Sequence, residues 1–344
     1  MILKHARIGD TVTDIVIQDH TILSVGPTDA NGRDLDGARI FPGLIDIHMH
    51  GCAGHDCIDG DLNTIATFQE QNGTTAFCPT LTTAALPKMA QAASQTTTGG
   101  ADILGFHAEG PFLNPAYGGA MDRQFLLAPD LKAFADLPNI RIITLSPELD
   151  GGLDFIEHCP VPAFIGHTAA SYDTAMQALT RGAVGLTHVF NAMAPFHHRN
   201  PGPIGAAIDA NAYVQVISDG FHLHPSIVRT LYRLFGRDRM ILISDSIAAT
   251  GMPDGDYRFD KQIIHVRNRQ AHLANGTICG STATLYDCVR CAIDMGIPAD
   301  DAFVMASATP AALLGEKRGR IVPGYRADFL VTDEKYNLLE VIRC

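Results

Sequence analysis

Two histidines separated by a methionine lie in the segment LIDIHMHG, at residues 44–51, and are the first groups in the chain that could bind a metal. The alternation of a pleated strand places Asp46, His48 and His50 on one face. A buried imidazole needs a hydrogen-bond partner, so two adjacent ones are costly unless something binds them. The pair is therefore either part of a metal site or a pair of satisfied core histidines.

Further imidazole and carboxylate groups stand at the ends of later apolar segments, namely Glu109, His167, His188 and Asp245. Neutral imidazole and carboxylate are ligands that suit Zn²⁺ or Fe²⁺. Three or four such ligands with one open coordination position form a catalytic metal site. Their repetition on separate segments favours a metal site over isolated core histidines.

Eight apolar segments typical of strands carry these groups, and helical patterns often separate them. The segments are 44–51, 74–80, 103–110, 140–148, 163–168, 185–193, 213–222 and 240–246. Strand followed by helix, eight times over, predicts an α/β fold of the (β/α)₈ TIM-barrel type, whose active sites lie at the carboxyl ends of the strands. A doubly wound open sheet would instead carry a glycine-rich phosphate loop after its first strand, which this sequence lacks.

Short strands and turns fill residues 1–41, and the same pattern resumes over residues 314–344. We predict that both chain ends form one small β-sandwich domain beside a barrel of residues 42–313. Residues 251–280 predict a hairpin-rich insertion before the last barrel helix.

The composition excludes several classes of function. The 344 residues include 25 Lys and Arg against 37 Asp and Glu, a net charge of −12. Nucleic acid and anionic membrane surfaces are poor partners for such a chain, and we expect a cytoplasmic protein that binds neither. Cys288 and Cys291 form a lone Cys-x-x-Cys within a predicted helix, and we interpret both as small core residues rather than a metal or redox pair.

Seven motifs extend over nearly the whole chain: HMHG, HAEGPFLN, GHT, THVFNAM, NPGPIGAA, DGFH and ISDSIAATGMPDG. Together they resemble the N-acetylglucosamine-6-phosphate deacetylase family of the amidohydrolase superfamily. The resemblance implies a metal-bearing barrel joined to a small β domain made from both chain ends. It also implies hydrolysis of an N-acetyl amide to give acetate and glucosamine 6-phosphate.

The resemblance implies a principal metal site and a second site bridged by one shared carboxylate. Glu109, His167 and His188 would form the principal site, and His48, His50 and Asp245 with the bridging Glu109 would form the second. Some family members lack the first histidine pair and use one ion, whereas this chain keeps both histidines. One or two ions per subunit, either Zn²⁺ or Fe²⁺, are compatible with these residues.

The implied chemistry uses a metal to lower the pKa of water from 15.7 to about 7. Asp245 would accept the proton of that water and return it to the leaving amine, although a role as a ligand alone is the alternative. Asn191, Ala192, Arg199 and His222 would bind the phosphate, where a guanidinium matches phosphate oxygens bidentately. A neighbouring subunit can supply the arginine in this family, which implies a homodimer.

One position departs from the family pattern, because Met121 stands where a histidine usually contacts the substrate near its carbonyl. A thioether cannot donate that hydrogen bond. Either a metal ion or another group compensates, or the substrate differs, with N-acetylgalactosamine 6-phosphate or another N-acylated sugar phosphate as candidates. Two further hypotheses are another amidohydrolase, such as an acyl-amino-acid deacylase or cyclic amidase, and a catalytically silent sugar-phosphate binding protein.

Overall fold

A computed structural model describes residues 1–259 and 262–344 of the chain. The strands in chain order are β1 (Ile2–Ile8), β2 (Thr11–Gln18), β3 (Thr21–Val25), β4 (Arg33–Asp34), β5 (Arg39–Pro42), β6 (Leu44–Met49), β7 (Gly51–Cys52), β8 (His55–Asp56), β9 (Thr74–Leu81), β10 (Asp102–Ile103), β11 (Phe106–Glu109), β12 (Ile140–Leu145), β13 (Ala163–Ile165), β14 (Ala183–Leu186), β15 (Tyr213–Ile217), β16 (Met240–Ile243), β17 (Gly255–Phe259), β18 (Gln262–Arg267), β19 (Gln270–His272), β20 (Asp328–Thr332) and β21 (Leu338–Arg343).

The helices lie mostly between the strands of the predicted barrel. They are α1 (Leu62–Gln71), α2 (Leu86–Ala93), α3 (Leu131–Ala135), α4 (Gly152–His158), α5 (Tyr172–Thr180), α6 (Gly202–Asp209), α7 (Pro225–Phe235), α8 (Leu285–Asp294), α9 (Ala299–Met305) and α10 (Ala308–Leu314), with short 3₁₀ helices at Pro115–Tyr117 and Arg123–Phe125. Their ends follow local signals: the Ser171 side chain, for example, caps α5 by accepting from the backbone N–H of Thr174.

The predicted barrel is confirmed. Strands β6, β9, β11, β12, β13, β14, β15 and β16 pair in that order, each parallel to its neighbour. Backbone hydrogen bonds join the last strand to the first, since Asp245 N donates to His48 O at 3.0 Å and His50 N donates to Ser246 O at 2.7 Å. The carboxyl ends of all eight strands therefore meet at one rim.

The inside of the cylinder is a packed core below that rim. Ile45, Ile142, Phe164 and Ile241 belong to one cluster of buried side chains, although they come from strands on different sides of the barrel. Non-neighbouring strands can share such a cluster only across the interior. Helix α10 contributes Leu314 to the same cluster.

A seven-stranded sheet forms the predicted small domain from both ends of the chain. Its order is β21, β20, β5, β1, β2 and β3, with β4 paired to β1. Leu3, Ile15, Ile40 and Phe329 are among the buried residues of its own core. The boundaries predicted after residues 41 and 313 fall one residue before the ends of β5 and α10.

The predicted hairpin-rich insertion corresponds to β17, β18 and β19, which form an antiparallel sheet. Residues 260 and 261 of that segment lie outside the described residues. Cys288 is buried on α8 and Cys291 is partly buried there, and both are free thiols. Within the described residues, no helix is long and apolar enough to cross a membrane.

Arg343 on β21 joins the small domain to the barrel through several carboxylates. Its guanidinium lies 2.7 Å from Glu70 Oε2 on α1 and 2.7 Å from Asp102 Oδ1 on β10. Its Nε lies 3.5 Å from Asp328 Oδ1 on β20. The side chain is 17% exposed, so these charges are only weakly screened by water.

We expect Arg343→Met to lower the free energy of unfolding by about 2 to 3 kcal/mol, because it leaves partly buried carboxylates without their cation. Arg181→Met is the matched control, since Arg181 pairs with Asp154 and Glu157 at the surface. That control should cost at most about 1 kcal/mol. Urea denaturation measures both, and equal losses would contradict the role given to Arg343.

Candidate metal centre

The predicted ligands lie at the carboxyl rim of the barrel at regular positions. Glu109 is the last residue of β11. His167, His188 and Asp245 are each the second residue after a strand, following β13, β14 and β16. All are buried, and the structure brings them together from strands that are distant in sequence.

Glu109, His167 and His188 form the first group that could hold a metal ion. Glu109 Oε1 lies 3.0 Å from His167 Nε2 and 3.0 Å from His188 Nε2. The two imidazole nitrogens are 3.1 Å apart. Three ligand atoms of types that suit a divalent transition metal therefore face one point.

His48, His50 and Asp245 form the second group. The Nε2 atoms of His48 and His50 are 3.3 Å apart, and they lie 3.4 and 3.3 Å from Asp245 Oδ1. Glu109 lies between the groups, because its Oε2 is 3.2 Å from His50 Nε2 while its Oε1 faces the first group. The carboxylate is thus positioned to bridge two ions.

Hydrogen bonds on the far side of two imidazoles fix their orientation. The Nδ1–H of His48 donates to Gln215 Oε1 at 2.9 Å, and the Nδ1–H of His167 donates to the carbonyl of Tyr117 at 2.8 Å. The Nε2 atoms must then face the carboxylates with either a proton or a metal ion. Such support on the outer nitrogen is what metal-ligating histidines require, so these residues fit a metal.

The electrostatics of the two groups demand positive charge at their centre. Burial alone would raise the pKa values of Glu109 and Asp245, but the adjacent histidines outweigh burial and lower both. Burial opposes the charged forms of His48 and His50, yet the two carboxylates raise both pKa values. A divalent cation would supply the same positive charge and displace the protons from the histidines.

The backbone is strained where three of these ligands lie. His167, His188 and Asp245 have φ values of 49°, 26° and 48°, in a region that residues other than glycine rarely adopt. Gly110, directly after Glu109, has φ of 90°, and a Cβ there would collide with the Thr83 hydroxyl. Strain of this kind is characteristic of functional sites, where surrounding structure holds it in place.

A cavity of about 330 Å³ opens over the two groups. Of the residues predicted to bind phosphate, Asn191, Ala192 and His222 line this cavity. His222 Nδ1 lies 2.8 Å from Asp219 Oδ2. Burial opposes protonation of His222, but Asp219 raises its pKa, which suits an imidazole that faces an anion.

Arg199 does not lie with the other predicted site residues. It is exposed on the segment after β14, and its guanidinium Nη1 lies 2.7 Å from His198 Nε2. It is not among the residues that line the cavity.

Several residues that support the site were missed by sequence reasoning. Gln215 is a lone amide in the apolar strand YVQVI, and Asp219 precedes His222 by three residues, so both carried a weak signal. His107, two residues before Glu109, is buried with its Nδ1 at 3.1 Å from the carbonyl of Ile47, and its ring packs edge-on against His48. The Tyr117 carbonyl had no side-chain signal at all.

Comparison with known proteins places this geometry in a family. Residues 39–342 match the model of the amidohydrolase family. The chain is 33% identical over 327 residues to an N-acetylglucosamine-6-phosphate deacetylase of Bacillus subtilis (strain 168), covering 88% of this chain and 83% of the relative. It is 31% identical over 347 residues to an N-acetylgalactosamine-6-phosphate deacetylase of Escherichia coli O157:H7, covering 94% and 92%.

Solved structures are also similar to this chain. A mutant N-acetyl-D-glucosamine-6-phosphate deacetylase from Mycobacterium smegmatis, in complex with N-acetyl-D-glucosamine-6-phosphate, matches with a TM-score of 0.91 and 31% identity, over 100% of this chain and 97% of the other. The enzyme of that name from Thermotoga maritima has a TM-score of 0.91 and 26% identity, over 100% and 98%.

We expect the protein reconstituted with Zn²⁺ to retain about two ions per chain, because two ligand groups share one bridging carboxylate. His50→Ala should retain about one ion, since it removes a ligand of the second group only. His197→Ala, in the exposed loop, is the control and should retain as many ions as the unaltered protein. Elemental analysis after gel filtration measures the content, and a single ion in the unaltered protein would contradict the prediction.

Proposed function

Since this chain belongs to the amidohydrolase family, among its N-acetylglucosamine-6-phosphate deacetylases, we propose that it hydrolyses the acetamide of N-acetyl-D-glucosamine 6-phosphate. The products are acetate and glucosamine 6-phosphate. The observation that carries the proposal is the convergence of two ligand groups on Glu109 beneath a cavity that also contains His222. The convergence of the ligand groups supports amide hydrolysis, and the presence of His222 supports recognition of an anionic substituent.

The family is metal-dependent, and we propose Zn²⁺ or Fe²⁺ for this chain because its ligands are imidazole and carboxylate. When bound, the metal supplies a nucleophile from water at neutral pH and polarises the amide carbonyl. Glu109, His167 and His188 would hold the principal ion. His48, His50 and Asp245, with the bridging Glu109, would hold the second.

Asp245 is the proposed general base. The neighbouring histidines keep its pKa low despite burial, so its carboxylate is ionised and able to accept a proton. Returning that proton to the amine nitrogen makes the amine a good leaving group when the C–N bond breaks. Asp245 lines the cavity, which supports this role in proton transfer to and from a substrate bound there.

The phosphate of the substrate would contact Asn191, Ala192 and His222 in one subunit and Arg199 from a second copy of the chain. The exposure of Arg199, outside its own cavity, supports this arrangement and a homodimer. A guanidinium pairs with two phosphate oxygens at once, which a histidine cannot do.

N-acetylgalactosamine 6-phosphate is a second candidate substrate. The similarity to the E. coli O157:H7 relative and the presence of Met121 on the cavity wall favour testing it beside the glucosamine epimer. The two sugars differ only in the orientation of one ring hydroxyl. Their kcat/KM ratio decides which of them the cavity prefers.

The remaining parts of the proposal concern location and other partners. A cytoplasmic location fits a phosphorylated sugar substrate, because a charged phosphate ester does not cross the apolar core of a bilayer unaided. The net charge of −12 supports the prediction that nucleic acids and anionic membranes are not partners.

We expect Asp245→Asn to lower kcat by about 10²- to 10⁴-fold, because it removes the proton acceptor and keeps an oxygen atom in place. Acetate release measures the rate, and calorimetry with glucosamine 6-phosphate should show that binding largely persists. Elemental analysis of the variant controls for metal loss. A variant rate within tenfold of the unaltered protein would contradict the role of Asp245 as general base. Absence of turnover in the unaltered protein would favour the silent binding protein.

Mixed dimers test where Arg199 acts. Arg199→Met and Asp245→Asn chains should each be poorly active alone, whereas one site of each mixed dimer combines an intact Asp245 with the partner's intact Arg199. Co-expression at equal levels should then restore about a quarter of the unaltered activity, because half of the dimers are mixed and half of their sites are complete. No recovery in confirmed mixed dimers would show that Arg199 does not act across the interface.

A further inference from the structure

The wall of the metal cavity beside Met121 separates it from a second cavity of about 400 Å³. Thr82, Ala120 and Met121 line both cavities, so they form the boundary between them. This boundary presents a thioether, a methyl group and one hydroxyl. Among these, the methionine is the most adaptable, because its unbranched side chain has several rotatable bonds.

The boundary lies at the end of the metal cavity away from the proposed phosphate site. His222 lines the metal cavity and a third cavity of about 290 Å³, but it does not line the cavity beyond Met121. Met121, in turn, does not line the third cavity. A substrate with its phosphate at His222 and its amide at Glu109 would then have its acyl group on the Met121 side of the metal cavity.

The second cavity offers apolar contacts to a chain that passes this boundary. Ile58, Ala84, Ala85 and Phe125 contribute to its lining. Lys88 also lines it and is paired with Asp59 at 2.9 Å, so its charge has a partner without any substrate. Asp56, Asp122 and Arg258 also line this cavity, so its wall is part apolar and part charged. An uncharged alkyl chain fits the apolar part, whereas the three aspartates against two cations disfavour an acidic chain.

We propose that the enzyme removes linear N-acyl groups longer than acetyl from hexosamine 6-phosphates, with the alkyl chain passing Met121 into the second cavity. The inference rests on the proposed function and extends its substrate class. The reaction balances as before: the oxygen of water bonds to the acyl carbon, the C–N bond breaks, and one proton passes to the amine. The released acid is propionate or butyrate in place of acetate.

The test compares N-acetyl-, N-propionyl- and N-butyryl-glucosamine 6-phosphate by the rate of free amine formation. Each methylene buried against apolar side chains is worth up to about fourfold in binding. We expect kcat/KM for the butyryl compound to equal or exceed that for the acetyl compound. Met121→Phe, which narrows the passage, should lower the butyryl-to-acetyl ratio about tenfold, since overpacking the passage costs more than the added contact.

Met252→Phe is the matched control, because Met252 is exposed and lines neither cavity. It should leave the ratio unchanged. Met121→Ala provides a second variant if the phenylalanine disturbs folding, and it should raise the ratio. A butyryl kcat/KM more than a hundredfold below the acetyl value, or a ratio unaffected by both Met121 variants, overturns the inference. Absence of hydrolysis with every acyl compound overturns the proposed function itself.

Discussion

The Nε2 atoms of four histidines lie 3.0 to 3.4 Å from the carboxylate oxygens of Glu109, and Asp245 Oδ1 lies 3.4 Å from one of them, that of His48. Carboxylate oxygens and imidazole lone pairs repel at these distances unless protons or metal ions lie between them. The adjacent histidines meet this requirement and lower the pKa values of both carboxylates. The outer hydrogen bonds of His48 and His167 hold their Nε2 atoms toward the carboxylates at the barrel rim. The centre therefore requires positive charge between these groups, which protons on the histidines or a divalent cation would supply.

The barrel supplies the stiffness that such crowding needs. Parallel strands present their carboxyl ends at one rim, so groups far apart in sequence meet without long loops. The arrangement requires strained, left-handed backbone at His167, His188 and Asp245. Backbone of that kind persists only where packed neighbours hold it, and the ligands sit two residues beyond buried strands that provide this support.

The fold and the convergence of the six candidate ligands were predictable because both depend on residue type and period. Buried parallel strands read as apolar runs, and groups such as Glu109 and His188 interrupt those runs at their ends. The resemblance predicted from the seven motifs is confirmed by the match to the family. The supporting contacts were not predictable. A backbone carbonyl such as that of Tyr117 has no sequence signal, and the role of Gln215 depends on its hydrogen bond with His48 on β6, which only the fold shows. The position of Arg199 outside the lining of its own cavity depends on the path of a loop, and the hydrophobic periodicity of a sequence does not predict loop paths.

The small sheet has a consequence for synthesis of the protein on the ribosome. Strand β5 is flanked by β1 on one side and by β20 on the other, so one of its edges lacks a partner until residues 328–332 have been translated. An unpaired edge is a template for association with other chains. The N-terminal sheet therefore stays incomplete while the barrel is translated, and during that time its open edge is exposed to association with other chains.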